Sequence, residues 1–336
     1  AIGGNAEPHR RLAKYIAYTA PGPGRSRPLT QEEARDALGI ILRGEADPMQ
    51  VGALLITIQY RGVTAVELAG FVRAIREHIA ISLPKDLRPD LDWPAYLSPR
   101  WRDPPWFVHA ARLVAMAGHR VLLHGNFGSG DEGGKLEAAA EDASIPVCIT
   151  AQEIRDAFRQ GNIAYMPLGA LLPQLQALLA LYPLFEMRTP MNNAIHLINP
   201  LEAGATVLGA AGSSNRDLYR RVAHLLGAEH AAVIGSNRDF AQVPPGRATP
   251  LFRLVGGRDV DLGIRARPVV KPEIPKVLTQ REYWSAVWSG AARDEQAEDT
   301  ILHTAAVGLL CLSRDPGARI EDALEQARAL WSRRRR

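Results

Sequence analysis

From residue 106 to the C-terminus, short apolar runs alternate with amphipathic stretches, and this alternation limits the possible folds more than any other feature of the chain. A helix at 106–118 leads into the apolar run Val121–Leu123. Further strand-like runs are IPVCIT (145–150), IAYMPL (163–168), ATVLGAA (205–211), AAVIGS (231–236) and TPLFRLVGG (249–257). Helical stretches such as AQEIRDAFRQ and NRDLYRRVAHLLG lie between most of them. The alternation predicts an α/β domain with a mostly parallel sheet, because parallel neighbours need a crossover that a helix supplies. Further helices are expected at 280–290, at 296–312 and from about 320 onward.

The first 80 residues read differently, as short helices with clear start and stop signals. Thr30 and Glu33 have the spacing of a capping box, in which each side chain satisfies a backbone N–H of the first turn. That helix should run to Arg43 and stop at Gly44. Asp47-Pro48 places an N-cap before a proline at the first helical position. The apolar helix that follows ends at Gly62. Thr64 and Glu67 form a second capping box, and Leu68, Phe71, Val72 and Ile75 share one face of the third helix. Between the two patterns lies LPKDLRPDLDWPAYLSPRWRDPPW (83–106), rich in proline and tryptophan, which reads as an irregular loop.

The chain has 336 residues, 46% hydrophobic and 23% charged. That is ordinary globular composition at a length of about two domains, which excludes disordered, collagen-like and coiled-coil proteins. No apolar run reaches the roughly 18 residues of a membrane span. The first twenty residues lack the apolar core of a signal peptide, so a cytoplasmic location is expected. Cys148 and Cys311 are too few for a disulfide framework and lack zinc-ligand spacing; Cys148 should lie in the core. The net charge is +4. Only Lys14, Lys85, Lys135, Lys271 and Lys276 are lysines among 40 cations, and the arginine excess is compatible with a polyanionic partner.

The segment from Leu29 to Ile79 resembles the N-terminal domain of the anthranilate phosphoribosyltransferases. LLHGN (122–126) resembles that family's KHGN motif, and MRTPMNNAIHLINPLEAG (187–204) resembles its R-T-x-x-N-x-x-x-P-L-x-N-P segment. The resemblance covers nearly the whole chain. It implies the fold shared by glycosyltransferase family 3 and the type II (pyrimidine) nucleoside phosphorylases, a small helical N-terminal domain plus a larger α/β domain with a mostly parallel central sheet. The helical domain should hold residues 1–82, with 167–187 returning to it, and the α/β domain residues 83–166 and 188–336. The resemblance also implies a homodimer paired through the helical domain.

The family transfers phosphoribosyl from phosphoribosyl pyrophosphate to anthranilate, and such a donor calls for a glycine-rich backbone cradle and magnesium. The family's cradle reads GTGGDG, some 30 to 40 residues before HGN. Here that region contains no glycine between Gly70 and Gly118. Trp93, Pro94, Tyr96 and Pro99 stand where small residues should let N–H groups reach a diphosphate, and proline has no N–H to give. The lysine before HGN is Leu123. The family's Asp-Glu metal pair matches GSNRDFAQ (235–242), where only Asp239 could serve and Arg238 adds positive charge. The losses coincide, and the resemblance then implies the catalytically degenerate branch of the fold, whose members bind nucleic acid as dimers.

The expected function is therefore a non-enzymatic, homodimeric nucleic-acid-binding protein with little sequence preference. No catalytic residue, metal ligand, cofactor or membrane partner is assigned. The alternative is a phosphoribosyltransferase of tryptophan biosynthesis with a remodelled donor site, for which magnesium would return. A third reading is a non-catalytic small-molecule sensor. An anion pocket is expected from His124, Gly125, Asn126, Lys135 and Arg188, the last matching the arginine that in the family meets the substrate carboxylate. The loop after Asn126 is either a ligand loop or a simple chain reversal. From the sequence no orienting carboxylate can be placed beside His124. Arg10, Arg11, Lys14, Arg25, Arg27, Arg100 and Arg102 are candidate contacts for DNA or RNA, unless they are merely solvated charge. Rings such as Trp93 and Tyr96 either stack on bases or pack the loop down.

Overall fold

The computed structural model describes Glu7, Arg10–Ile79, Pro84–Leu97, Pro104–Phe127, Lys135–Ser236 and Asp239–Arg335. The chain opens with four helices, α1 (Ala13–Thr19), α2 (Gln31–Leu42), α3 (Pro48–Arg61) and α4 (Ala65–Glu77). Each expected cap is present. Thr30 and Glu33 close a capping box, as do Thr64 and Glu67, and Asp47 accepts from Met49 N–H ahead of Pro48. Then follow β1 (Leu91–Leu97), α5 (Trp106–Met116), β2 (Val121–Phe127), α6 (Lys135–Asp142), α7 (Ala151–Gly161) and β3 (Ile163–Pro167). Four short helices come next, α8 (Leu168–Leu171), α9 (Pro173–Leu179), α10 (Leu181–Phe185) and α11 (Pro190–Ala194). The remainder is β4 (Ala205–Ala211), α12 (Ser213–Leu225), β5 (His230–Ser236), β6 (Thr249–Val255), β7 (Arg258–Ile264), α13 (Gln280–Ser289), α14 (Glu295–Leu312) and α15 (Ile320–Arg333).

Two compact units result. The helical unit comprises residues 1–80, 168–200 and 221–227, and the α/β unit comprises 81–167, 201–220 and 228–336. The returning segment is therefore longer than 167–187. It takes in residues 188–200 because α11 packs against α4, where Arg76 Nε donates to Ile198 O at 2.6 Å. It also takes in the end of α12, where Arg73 donates to Leu225 O.

In the α/β unit one seven-stranded sheet has the order β3-β2-β1-β4-β5-β6-β7, with the first five strands parallel and β6 and β7 antiparallel. The stretch read as an irregular loop contains β1, a central strand. Pro94 disguises it, and the ladder shows why it is tolerated. Leu91 N–H is given to Arg120 O on the β2 side, so odd-numbered residues of β1 bond β2 and even-numbered ones face β4. The N–H that Pro94 lacks falls on the β4 side, and pairing there ends at Asp92↔Thr206 while pairing to β2 continues to Leu97↔Phe127. IPVCIT, expected as a strand, forms only an isolated bridge at Val147↔Tyr165. Its chain turns at Thr150 to cap α7.

Successive residues of β1 point to opposite faces. Leu91, Trp93 and Ala95 join Val121, Leu123, Ala205, Val207, Ala232 and Ile234 in one apolar core with α5, α13, α14 and α15. Trp93 is fully buried and stacks on Phe107 at 6.5 Å, and Gly308 of α14 leaves room for its indole. Trp93 therefore packs as a core residue of a strand and does not pack a loop down. Cys148 and Cys311 are buried.

Candidate functional site

In an open parallel sheet the chain leaves the carboxyl ends of the strands in opposite directions where the strand order reverses, and ligands collect there. In this sheet that place is between β1 and β4, since β2 and β3 extend to one side and β5 to the other. It is also where the β1–β4 ladder stops early. The even-numbered face of β1 carries Asp92, Pro94 and Tyr96, and the registers set Thr206 of β4 and His124 and Asn126 of β2 on that same face.

The polar side chains there are bonded in series. Thr206 Oγ1 donates to Asp92 Oδ2 at 2.9 Å. Asp92 Oδ1 lies 2.8 Å from His124 Nε2, and His124 Nδ1 lies 2.9 Å from Tyr96 Oη. A carboxylate only accepts, so Nε2 carries a proton, and in the neutral imidazole Nδ1 accepts from the phenol. Asp92 and His124 are fully buried, Thr206 nearly so, and Tyr96 half-buried. Burial, with the Asp92 charge adding to it, holds the Tyr96 phenol well above its ordinary pKa. Tyr96 is a neutral hydroxyl at neutral pH.

Gly125, next to His124, is required by packing: a Cβ there would lie 1.8 Å from Ala95 O. Tyr165 holds the same turn from the other face, with its Oη 3.2 Å from Gly125 O and 2.7 Å from Glu137 Oε1. HGN is thus a joint between β1 and β2 as well as the end of a strand.

Three comparisons bear on this geometry. Residues 18–79 match the family model described as the glycosyl transferase family helical bundle domain. The anthranilate phosphoribosyltransferase of Roseiflexus castenholzii is 27% identical over 315 residues, covering 90% of both chains. That of Thermomicrobium roseum is 25% identical, covering 88% of this chain and 87% of its own. The anthranilate phosphoribosyltransferase structure from Thermus thermophilus superposes with a TM-score of 0.76 at 19% identity, over 97% of this chain and 95% of its own. The chain has the anthranilate phosphoribosyltransferase fold. The Saccharomyces cerevisiae enzyme, solved in complex with PRPP and Mg, gives a TM-score of 0.73 at 15% identity, over 96% of this chain and 93% of its own.

The residues expected from sequence fall in both units. His124, Gly125 and Asn126 lie together at the end of β2. Arg188 lies in the helical unit, exposed, ahead of the Thr189 cap of α11. The Lys135 side chain, Arg100, Arg102 and Arg238 lie outside the described residues. Of the N-terminal cations, Arg11 is paired with Glu45, and Arg27 binds Glu33 at 2.8 Å while lying 4.1 Å above the Tyr18 ring. Lys14 approaches Asp36 at 3.9 Å, and Arg25 Nη2 reaches Pro21 O. Arg10 is exposed. Arg334 donates to Trp288 O and Trp331 O, and it lies 3.5 Å above the Trp331 ring.

No group of three His, Cys, Asp or Glu side chains among the described residues could hold a metal ion, and Asp239 Oδ1 accepts from Ala211 N–H at 3.3 Å. The sequence reading missed Asp92 and Thr206, and it treated Tyr96 only as a ring. Reading LDWPAYL as a strand with a two-residue period would have set Asp92 and Tyr96 on one face. The orienting carboxylate thought unplaceable beside His124 is Asp92, 32 residues earlier in the chain.

Proposed function

We propose that the chain is a phosphoribosyltransferase whose donor end has been rebuilt, transferring a 5-phosphoribosyl group to a nitrogen nucleophile at the carboxyl ends of β1 and β4. The observation that carries this reading is the series Thr206–Asp92–His124–Tyr96, buried where an open parallel sheet of this order takes its ligand. It is supported by curated relatives that are anthranilate phosphoribosyltransferases over 85–90% of this chain. The donor loop of this chain has no glycine cradle, so the diphosphate contacts of the yeast enzyme are not carried over. The nucleic-acid reading loses ground because Arg11, Lys14 and Arg27 already face carboxylates.

Thermal unfolding tests the reading directly. Phosphoribosyl pyrophosphate at millimolar concentration, with and without magnesium, should raise the Tm by several degrees, because a ligand that binds only the native state stabilises it. Anthranilate and other aromatic amines should then be consumed, followed by loss of fluorescence. No shift and no turnover, together with single-stranded DNA binding that collapses as salt rises, would return the chain to the nucleic-acid reading.

A further inference from the structure

A buried carboxylate that serves only the fold looks like Glu67 in the helical unit. Glu67 is fully buried, accepts from Leu29 N–H and Thr64 N–H and pairs with Arg61, so it satisfies backbone donors and a cation. Asp92 does neither. Its two oxygens take the Thr206 hydroxyl and the His124 ring N–H, and both nitrogens of His124 face side chains. A buried carboxylate without a cationic partner is costly, and apolar residues would pack the same space. Each member of the series bonds the next, and Tyr96 is the one half-buried group in it. A carboxylate orienting an imidazole that in turn engages a hydroxyl is the arrangement that moves protons.

We propose that Tyr96 is the acid–base residue of this site, with His124 as its proton reservoir and Asp92 and Thr206 as positioning residues. The proposal rests on the transferase reading above. As the nucleophile's nitrogen forms its bond to C1 of the ribose, the bond from C1 to the leaving oxygen breaks and that oxygen keeps the electron pair. The nitrogen's proton passes to Tyr96 Oη, and the phenol's own proton passes to His124 Nδ1. The imidazolium so formed keeps its Nε2 proton on Asp92, and the extra proton returns through Tyr96 to the leaving group or to water. Electrons and protons balance without a metal. The substrate class follows: the acceptor must carry an N–H to lose, as an aromatic amine or a ring N–H does.

Two measurements on the full chain test this. In unliganded protein labelled with 15N-histidine, His124 should be the Nε2–H tautomer with an unprotonated Nδ1, and Tyr96→Phe should move the Nδ1 resonance. A proton resident on Nδ1 in wild type overturns the relay whatever the enzyme does. On a donor–acceptor pair that the wild type turns over, Tyr96→Phe should lower kcat by about 10²–10⁴ with KM within about threefold, the range for loss of a general acid–base group. Asp92→Asn should lower kcat and destroy the single tautomer, and Thr206→Val should lower kcat by less than about tenfold. If Tyr96→Phe keeps the wild-type kcat, the relay is wrong and the transferase reading stands. If the wild type shows no donor-induced rise in Tm, the transferase reading fails and takes the relay with it.

Discussion

One strand, β1, serves two unlike surfaces of the sheet. Its odd-numbered residues enter a core of tryptophan, phenylalanine and aliphatic side chains, whereas its even-numbered residues place a carboxylate and a phenol opposite an imidazole. Each side also holds one fully buried histidine. On the core side, His109 of α5 is stacked 3.7 Å from Trp284, gives its Nε2 proton to Trp284 O and has Arg112 3.2 Å from Nδ1. Burial, and then the Arg112 charge, pushes its pKa well below the ordinary value. His124 instead has a carboxylate at one nitrogen and a hydroxyl at the other. The first histidine is held neutral by its surroundings as a piece of packing; the second has a carboxylate and a phenol at its two nitrogens. Burial alone therefore does not set one histidine apart from the other. What faces the two nitrogens does.

The sharpest way to break the contrast is at the joint the two faces share. A Cβ at Gly125 would overlap Ala95 O at 1.8 Å, and backbone cannot yield that far. Gly125→Val should abolish cooperative folding of the α/β unit, seen as loss of the thermal transition. Next in size is the core side. Trp93→Ala should cost about 3–5 kcal/mol in urea unfolding, the range for truncating a buried large aromatic. Trp93→Phe should cost far less, because the indole N–H has no partner among the described residues. A smaller effect separates the histidines by pH. The folded-state pKa of His109 is depressed, so the unfolded chain binds a proton near its ordinary value of about 6.5 that the native state refuses. Its contribution is fully present above that pH and is lost as pH falls below it, by at most about 1.4 kcal/mol per unit. His109→Gln should flatten the stability curve below pH 6.5 by about one proton, measured by urea midpoints at several pH values.

The helices were legible because caps are local. Thr30 with Glu33, Asp47 with Pro48 and Thr64 with Glu67 each announce a start within four residues, and the structure places a helix at every one. β4 and β5 were legible because a strand buried on both faces is apolar throughout. β1 was not, because Pro94 and Asp92 break the apolar run. The proline is permitted only by a ladder that ends on the β4 side, a fact of pairing and not of local sequence. β7 was missed because RDVDLGI is an edge strand with its charges outward; Asp259 and Asp261 meet Arg220 of α12 there. The site was half legible. HGN marked one side, but its partners come from residues 92, 96 and 206, and only the parallel register aligns them.

The smallest stability change is also the one that decides what the polar face is for. Asp92→Leu alone strands a buried imidazole and should destabilise, since one partner of a buried polar pair is left without its hydrogen bond. Replacing the whole series together (Asp92→Leu, His124→Leu, Tyr96→Phe and Thr206→Val) removes the unmet donors and acceptors along with the partners. Whole buried polar groups exchanged for well-packed apolar ones of similar volume are often neutral or stabilising. The quadruple variant should therefore unfold within about 1–2 kcal/mol of wild type in urea, either way, while losing all turnover. A loss as large as that of Trp93→Ala would make the series a structural element like the Glu67 cluster, and the two faces of β1 would then differ in chemistry but not in purpose.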